Sequence, residues 1–486
     1  MSKRFVILLA ALASIVVGAV LVAPSRTPSP RWGTEATCSS GAVSVDPGES
    51  IQSVLDRAGP GASICIRRGV YRLTTPVEPK QGQTLTFEAG ATLNGSRLVT
   101  NWERNGSYWM AEGHTQSFSD GAWATATNKC DDNPAACVYE DLFMDDMPLT
   151  HVLSLSELSP GKVYLDKSTS TMYIADDPTG RRMEATVLTI GIDSSVSGVT
   201  IRGATIEKIG WFGLRTTGPS WVIEDTEIRY THITGLRLRG DDHLVRRNHI
   251  HHNGNTGIVA TDGDNQTFVG NEIANNNYLG FGNKPTSHSE GGVKLLGTTN
   301  TIVRNNYIHD NQADGWWFDS NNIGVLIEGN VFEKNTRFGL HYETSFDAVI
   351  RNNIFRNNGT DRAWLGGGVR IASSKNVQIH DNIFDDNKYS TLFANWVDRG
   401  SGVYGTHETT NLEVRDNEFI MTEGWLGSSW GKEEIGSPEA NNRFADNSYV
   451  VDDLNQQWWV WLPGGFTDWE GWHRNGFDRN GTLSRS

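Results

Sequence analysis

An Asn followed two residues later by an apolar side chain recurs down the second half of the chain, and this repeat constrains the fold more than any other feature. The series runs Asn248-His-Ile250, Asn271-Glu-Ile273, Asn306-Tyr-Ile308, Asn330-Val-Phe332, Asn353-Ile-Phe355, Asn382-Ile-Phe384, Asn417-Glu-Phe419 and Asn447-Ser-Tyr449. Its intervals are 23, 35, 24, 23, 29, 35 and 30 residues. They describe a base period of about 22–24 residues with insertions in some turns. A glycine series keeps step: Gly213, Gly235, Gly257, Gly292, Gly315, Gly339 and Gly368 each open a stretch of alternating apolar and polar residues. Such a period marks a stacked solenoid, and short alternating strands with Asn and Gly corners favour an all-β helix over helical repeats. Residues one period apart are then spatial neighbours, so sequence spacing becomes geometry.

Strands alternate their side chains between two faces. After each glycine the first and third residues are apolar and point inward: Val293 and Leu295, Trp316 and Phe318, Leu340 and Tyr342, Val369 and Ile371. The second and fourth point outward. Lys294, Trp317, His341 and Arg370 therefore form one outer row, with Asp319 and Glu343 in the adjoining row, and the next coil contributes Phe393 and Asn395. Neighbouring strands lie about 4.7–4.9 Å apart. Two carboxylates at that spacing repel, so a raised pKa, a bound cation, or Lys294, His341 and Arg370 are expected to compensate. Carboxyl groups about 5–5.5 Å apart are the arrangement of a retaining glycosidase. Asp319 and Glu343 are thus the candidate catalytic pair. Trp317, His341, Lys294, Arg370, Asn395 and Glu290 are candidate substrate-binding residues, Trp317 offering an apolar face to a sugar ring. The bland alternative is a polar ladder or an adventitious Ca²⁺ site.

Insertions at 276–290, 360–367 and 396–410 border these strands and are candidates to build a groove, with His288, Glu290, Trp364 and Trp396 shaping it. Asp314, five residues before Asp319, ranks as a reserve acid. The string Gly240-Asp241-Asp242-His243 falls after its strand and is set aside.

The rest of the chain divides around the repeat. Residues 1–30 hold a basic start, an apolar run from Phe5 to Ala23 and a Pro/Ser stretch, which reads as a signal peptide or an uncleaved membrane anchor plus linker. Secretion, or display at the cell surface, is the expected location. Residues 31–96 form an N-terminal cap, with a short amphipathic helix after Asp46-Pro-Gly-Glu-Ser-Ile-Gln52, and the first coils. Residues 97–186 lose the repeat and read as a small inserted β-rich subdomain, including a hairpin of Lys162–Asp166 and Thr171–Ala175. The main solenoid spans 187–455. A tail, 456–486, carries Trp458, Trp459, Trp461, Trp469 and Trp472, which either close the last coil or line a sugar groove.

Cys38, Cys65, Cys130 and Cys137 are the four cysteines, and an exported chain with an even count suggests two disulfides, paired locally as Cys38–Cys65 and Cys130–Cys137. No Cys-x-x-Cys pair or nearby His gives zinc spacing, and no metal ligands are named from the sequence. The formal net charge of −15 argues against nucleic acid as a partner.

The opening Asp46-Pro-Gly-Glu-Ser-Ile-Gln52 and most of 187–450 resemble the secreted bacterial right-handed parallel β-helix proteins of pectate-lyase-like fold. Within that group, Asp314-Gly-Trp-Trp-Phe-Asp-Ser-Asn-Asn322 and Phe338-Gly-Leu-His-Tyr-Glu-Thr-Ser345 are similar to the Trp-x-Asp and following-coil Glu of the β-helical β-xylosidases of glycoside hydrolase family 120. The resemblance implies an Asp319 nucleophile and a Glu343 acid/base, in a helix interrupted by a β-rich insertion. The flanks Ser320-Asn321-Asn322 and Thr344-Ser345-Phe346 depart from that family's pattern.

The expected function is a secreted carbohydrate-active enzyme, a retaining glycoside hydrolase without a cofactor, acting as a monomer on a polysaccharide or oligosaccharide. The alternative is a polysaccharide lyase on uronate-containing glycans, in which Lys294, His341 and Arg370 do the chemistry and Asp319 and Glu343 hold Ca²⁺. A third expectation is a non-catalytic glycan-binding surface protein.

Overall fold

The computed structural model describes residues 36–116, 118, 133–282, 291–360 and 365–486. Each coil of the repeat supplies three short strands, for example Thr234–Arg239, Leu244–Arg246 and His249–His251. Equivalent strands from successive coils pair in parallel, and among the described residues they build three long sheets of 13, 12 and 13 strands, the second ending in one strand, Gly465–Thr467, that pairs antiparallel. The first sheet runs from Val43–Val45 to Arg443–Ala445, the second from Ile190–Ser194 to Gly465–Thr467, and the third from Gly69–Arg72 to Thr482–Arg485. The result is a right-handed parallel β-helix.

The corners follow from residue chemistry. Arg247, Asn305, Asn352, Asp381, Asp416 and Asp446 all adopt left-handed backbone, with Gly270 and Gly329 doing so at two equivalent positions. That conformation turns the chain sharply and is most easily reached by Gly, Asn and Asp. The next residue in each case is the buried Asn of the repeat. Asn248, Asn271, Asn306, Asn330, Asn353, Asn382, Asn417 and Asn447 form a ladder in which each side-chain amide donates to the next Asn Oδ1 at 2.9–3.0 Å. Asp478 ends it, its Oδ1 receiving Asn447 Nδ2 at 2.8 Å. A second ladder sits five residues further on in each coil: Asn253, Asn276, Asn311, Asn335, Asn358 and Asn387. The ladders satisfy corner backbone groups that a solenoid interior hides from water.

Inside, like stacks on like. Phe332, Phe355, Phe384, Phe419 and Tyr449 form a column with ring centroids 4.7–5.1 Å apart. Both inward residues of every site strand are fully buried in this core.

The ends are closed. The N-terminal helix, Ile51–Ala58, is capped by Ser50 and buries Ile51, Val54 and Leu55 over the first coil. The Gln83 amide donates to the carbonyls of Leu55 and Gly59 and satisfies the helix C-terminus. At the other end Trp458, Trp459, Trp461 and Trp472 are buried in the core, and Trp469 packs against it. These tryptophans close the last coil; they do not line a groove.

Between Ser96 and Thr186 the chain leaves the helix and forms a four-stranded and a five-stranded sheet with a core of its own, around Leu142, Val163, Met172, Ile174 and Ala185. The Lys162–Asp166 and Thr171–Ile174 hairpin belongs to it. Cys38 and Cys65 form a disulfide. Cys137 is also disulfide-bonded, while Cys130 lies outside the described residues. None of the described helices is long and apolar enough to cross a membrane; the apolar run at 5–23 lies outside them.

Candidate active site

Five consecutive strands of the second sheet position the site: Gly291–Leu296, Trp316–Asp319, Phe338–Glu343, Gly367–Ala372 and Ser390–Asn395. Their register sets Lys294, Trp317, His341, Arg370 and Phe393 side by side in one row. Leu296 pairs with Asp319, while Glu343, Ala372 and Asn395 align two residues beyond the row. Continuing the Phe318–Tyr342 register by one residue brings Asp319 beside Glu343. Their Cα atoms are then about 4.8 Å apart.

Each carboxylate has its own cation. Lys294 Nζ lies 3.1 Å from Asp319 Oδ2 and 3.6 Å from the centre of the Trp317 ring. Ser320 Oγ donates to Asp319 Oδ1 at 3.0 Å. On the other side, Arg399 Nη2 donates to Glu343 Oε1, and His341 Nε2 stands 3.7 Å from Glu343 Oε2. Opposite charge thus offsets the repulsion between the acids.

The outer row is more enclosed than its outward direction implies. Trp317 and His341 are each 2 % exposed and Glu343 4 %, whereas Asp319 is half-buried. The Trp317 and His341 rings stack at 5.2 Å and 6°. His341 is thereby held flat against Trp317, and Asp314 fixes its orientation, accepting from Nδ1 at 3.2 Å. Asp314 also accepts the Phe338 backbone N–H at 3.0 Å. Burial opposes ionisation of Asp314, but the His341 hydrogen bond, the Arg337 charge and the Phe338 N–H outweigh it and hold the carboxyl down at about 2. It is ionised at neutral pH and has no proton to give, so Asp314 is a positioning residue for His341 and not a reserve acid. An ionised Asp314 can only accept, so the proton between the two groups sits on His341 Nδ1.

Arg370 departs from the expected role of an open sugar-binding cation. Its guanidinium lies 5.5–5.9 Å from the Phe338, Phe393 and Trp430 rings, and its Nε donates to Asn395 Oδ1 at 3.1 Å. Burial pulls its pKa down to about 10, against the raising effect of Glu343 and Asp314. Asn395 is fully buried, and its Nδ2 meets no hydrogen-bond partner among the described residues. Glu290, with His288 and Trp364, lies outside those residues. Trp396 packs against the helix core, with Lys432 Nζ 5.6 Å from its ring.

Arg399 was not among the residues read from the sequence. It sits in the 396–410 insertion, which is tied over the coils at several points. Ser373 Oγ donates to the Val397 carbonyl and accepts its N–H. Thr409 Oγ1 donates to the Asn395 carbonyl at 2.7 Å, and His407 Nε2 pairs with Asn321 Oδ1 at 3.1 Å. Ser401–Gly402 and Gly405–Thr406 close the loop as a small hairpin. The Ser-Asn-Asn flank after Asp319 builds the corner: Asn322 Nδ2 donates to the Asp319 carbonyl and to Ser345 Oγ, both at 3.0 Å.

Chemically, the arrangement offers two adjacent carboxylates at the ends of parallel strands, each beside a cation, over an aromatic and imidazole stack. The model of the right handed beta helix region matches residues 189–361 and 277–419. No curated protein matches the chain by sequence. Among solved structures, the complex of XylC with xylose is 16% identical, with a TM-score of 0.67 over 90% of this chain and 83% of that one. The Azotobacter vinelandii mannuronan C-5 epimerase AlgE4 A-module is 14% identical, with a TM-score of 0.49 over 92% and 93%. The repeat, the three stacked sheets, the matching family model and the likeness to XylC agree on one architecture: the chain is a right-handed parallel β-helix protein.

Proposed function

We propose that the chain is a secreted carbohydrate-active enzyme, a retaining glycoside hydrolase that uses Asp319 and Glu343. The observation that carries this reading is the pair itself: two carboxylates on adjacent strands, one half-buried beside Lys294, the other nearly buried beside His341 and Arg399. Two carboxylates on adjacent strands supply the pair of groups a retaining glycosidase needs, one as nucleophile and one as acid/base. The likeness in fold to XylC, solved with xylose, supports a sugar as the substrate class.

In this mechanism Asp319, beside Lys294, attacks the anomeric carbon as the bond to the leaving oxygen breaks. Glu343 gives its proton to that oxygen. A water then enters, Glu343 takes back a proton from it, and the resulting hydroxide displaces Asp319. Trp317 and His341 form the stiff floor that keeps Glu343 and Lys294 in place, and Asp314 holds that floor through His341.

Arg370 gives the lyase alternative less support than an open cation would, because three rings and Asn395 enclose it. The test is incubation with neutral and uronate glycans, following reducing ends and the ultraviolet absorbance of unsaturated ends together. Reducing ends without absorbance, falling by about 10²–10⁴-fold in both Asp319→Asn and Glu343→Gln, are expected. Absorbance that rises with the reducing ends, or activity that survives both substitutions, would defeat the proposal. Turnover by none of the three proteins, with glycan bound equally by all, would make the chain a binding protein.

A further inference from the structure

A second cluster of chemistry-bearing side chains stands on the outer face of the third sheet, away from the carboxylate pair. His249 and His251 flank the core residue Ile250 on one strand, so both imidazoles leave the sheet on the same side. The preceding strand sets Glu227 beside His249, and the following strand sets Glu272 on its other side. The next strand adds Tyr307 and His309.

The contacts converge. His251 Nε2 lies 3.1 Å from Glu227 Oε1. His249 Nε2 and His309 Nε2 lie 3.5 and 3.3 Å from the same oxygen, Glu272 Oε1. The His249 and His251 rings are stacked, centroids 3.8 Å apart. One ligand atom each from Glu227, His249 and His251 falls within a 4.8 Å span. Two of the imidazoles are also oriented from behind. His252 Nδ1 is 2.7 Å from His251 Nδ1, and Asp310 Oδ2 is 2.7 Å from His309 Nδ1. A partner on the far ring nitrogen is how metal-ligating histidines are held.

We propose that Glu227, His249 and His251 bind a divalent transition-metal ion of the zinc class, with Glu272 and His309 at its rim. Two imidazoles and a carboxylate suit Zn²⁺ and its neighbours and not Ca²⁺ or Mg²⁺, which take oxygen ligands. Three protein ligands leave a fourth position for water. Bonds of about 2.0–2.2 Å require the ligand atoms to close by about an ångström, which the two rings reach by tilting out of their stack. Arg229 Nη1, now 3.2 Å from Glu227 Oε1, gives way to the ion and keeps its bond to Glu207. Glu227 and His249 are partly exposed, so an ion can enter. The site is independent of the carboxylate pair and of any reaction there.

The test uses the untagged, chelator-treated chain, titrated with ZnCl₂ by calorimetry and with CoCl₂ by visible absorption. One ion per chain is expected. Affinity should fall at least tenfold in His249→Gln and in His251→Gln, and binding should be lost in the double variant. Glu227→Gln, which changes charge but not shape, should weaken binding. His380→Gln, at a histidine paired with Asp381 on a strand of the first sheet, should not. Zinc should raise the melting temperature of the wild type and not of the double variant. Absence of saturable binding by the folded wild type overturns the proposal even if the variants misfold, and so does equal binding by a folded double variant.

Discussion

Replacing Asp314 by Asn tests whether the floor of the site is held by charge. Asp314 is 1 % exposed, accepts from His341 Nδ1 and from the Phe338 N–H, and has its pKa drawn from 3.8 to about 2. A carboxyl with a lower pKa in the folded state stabilises the fold above its unfolded value and loses that contribution as pH falls through the folded one. The shift of nearly two pKa units is worth about 2 kcal/mol at 1.36 kcal/mol each. The wild type should therefore lose about 2 kcal/mol through this group between about pH 4 and pH 2, and Asp314→Asn should not. Other carboxylates titrate in the same window; Glu227, for one, is held down at about 2 by His251, Arg229 and His249 against its burial. The informative quantity is thus the difference between the two proteins' stabilities, measured by urea unfolding at a series of pH values. It should stand at about 2 kcal/mol in favour of the wild type near neutrality and close as pH falls below about 4. A difference that stays constant down to pH 2 would refute the assignment of an ionised Asp314 to His341.

Three further outcomes follow. Arg399→Gln removes a cation from Glu343 and should move one limb of the pH–kcat/KM profile upward; the alkaline limb moves if Glu343 is the acid, and movement of the acidic limb alone would exchange the roles of the two carboxylates. Asn330→Ala strips a rung that donates to Val303 O, Glu328 O and Asn353 Oδ1 and accepts from Asn306. It should cost about 3 kcal/mol or more, because each buried partner left unpaired costs about 1–3 kcal/mol; a change below about 1 kcal/mol in urea unfolding would show that the ladder carries little stability. Trp459→Ala should cost about 3–5 kcal/mol, since the ring is fully buried against Tyr449 and Trp469; an unchanged melting temperature would mean that the tail is not the lid of the last coil.

Much of the site geometry was legible because two periods fix it. Alternation along a strand sorts inward from outward, and the coil period sorts neighbours, so Lys294, Trp317, His341 and Arg370 fall into one row from sequence alone, as the register has them. What covers that row obeys neither period. Arg399 reaches Glu343 from a loop 56 residues away in sequence, and Phe338 and Trp430 close over Arg370 from outside the alternating positions. A repeat predicts which residues share a face but not whether that face stays open. The second Asn ladder is legible in the sequence too, five residues after the first in each coil. The His249 and His251 pair hid in the same motif, because in Asn248-His-Ile250 attention falls on the residues that repeat.

Regular and irregular rows follow one physical rule in this architecture. Rows that keep one residue type from coil to coil serve the stack: amides hydrogen-bond to amides in both ladders, and aromatic rings lie on aromatic rings along the Phe332 column. Each member is stabilised by a copy of itself, so any coil can follow any other. A row whose members change sign and type gains no such regularity and must be balanced locally. The row Lys294, Trp317, His341, Arg370, Phe393 is balanced by Asp319, Asp314, Asn395 and a tied-down loop. Glu227, His249, Glu272 and Tyr307 also break the repeat, with His251 and His309 beside them as counterparts. The first of these irregular rows flanks the carboxylate pair, and the second carries Glu227 and His249 of the proposed metal ligands. In a chain built by repetition, departure from the repeat is the signal on which a functional proposal can rest.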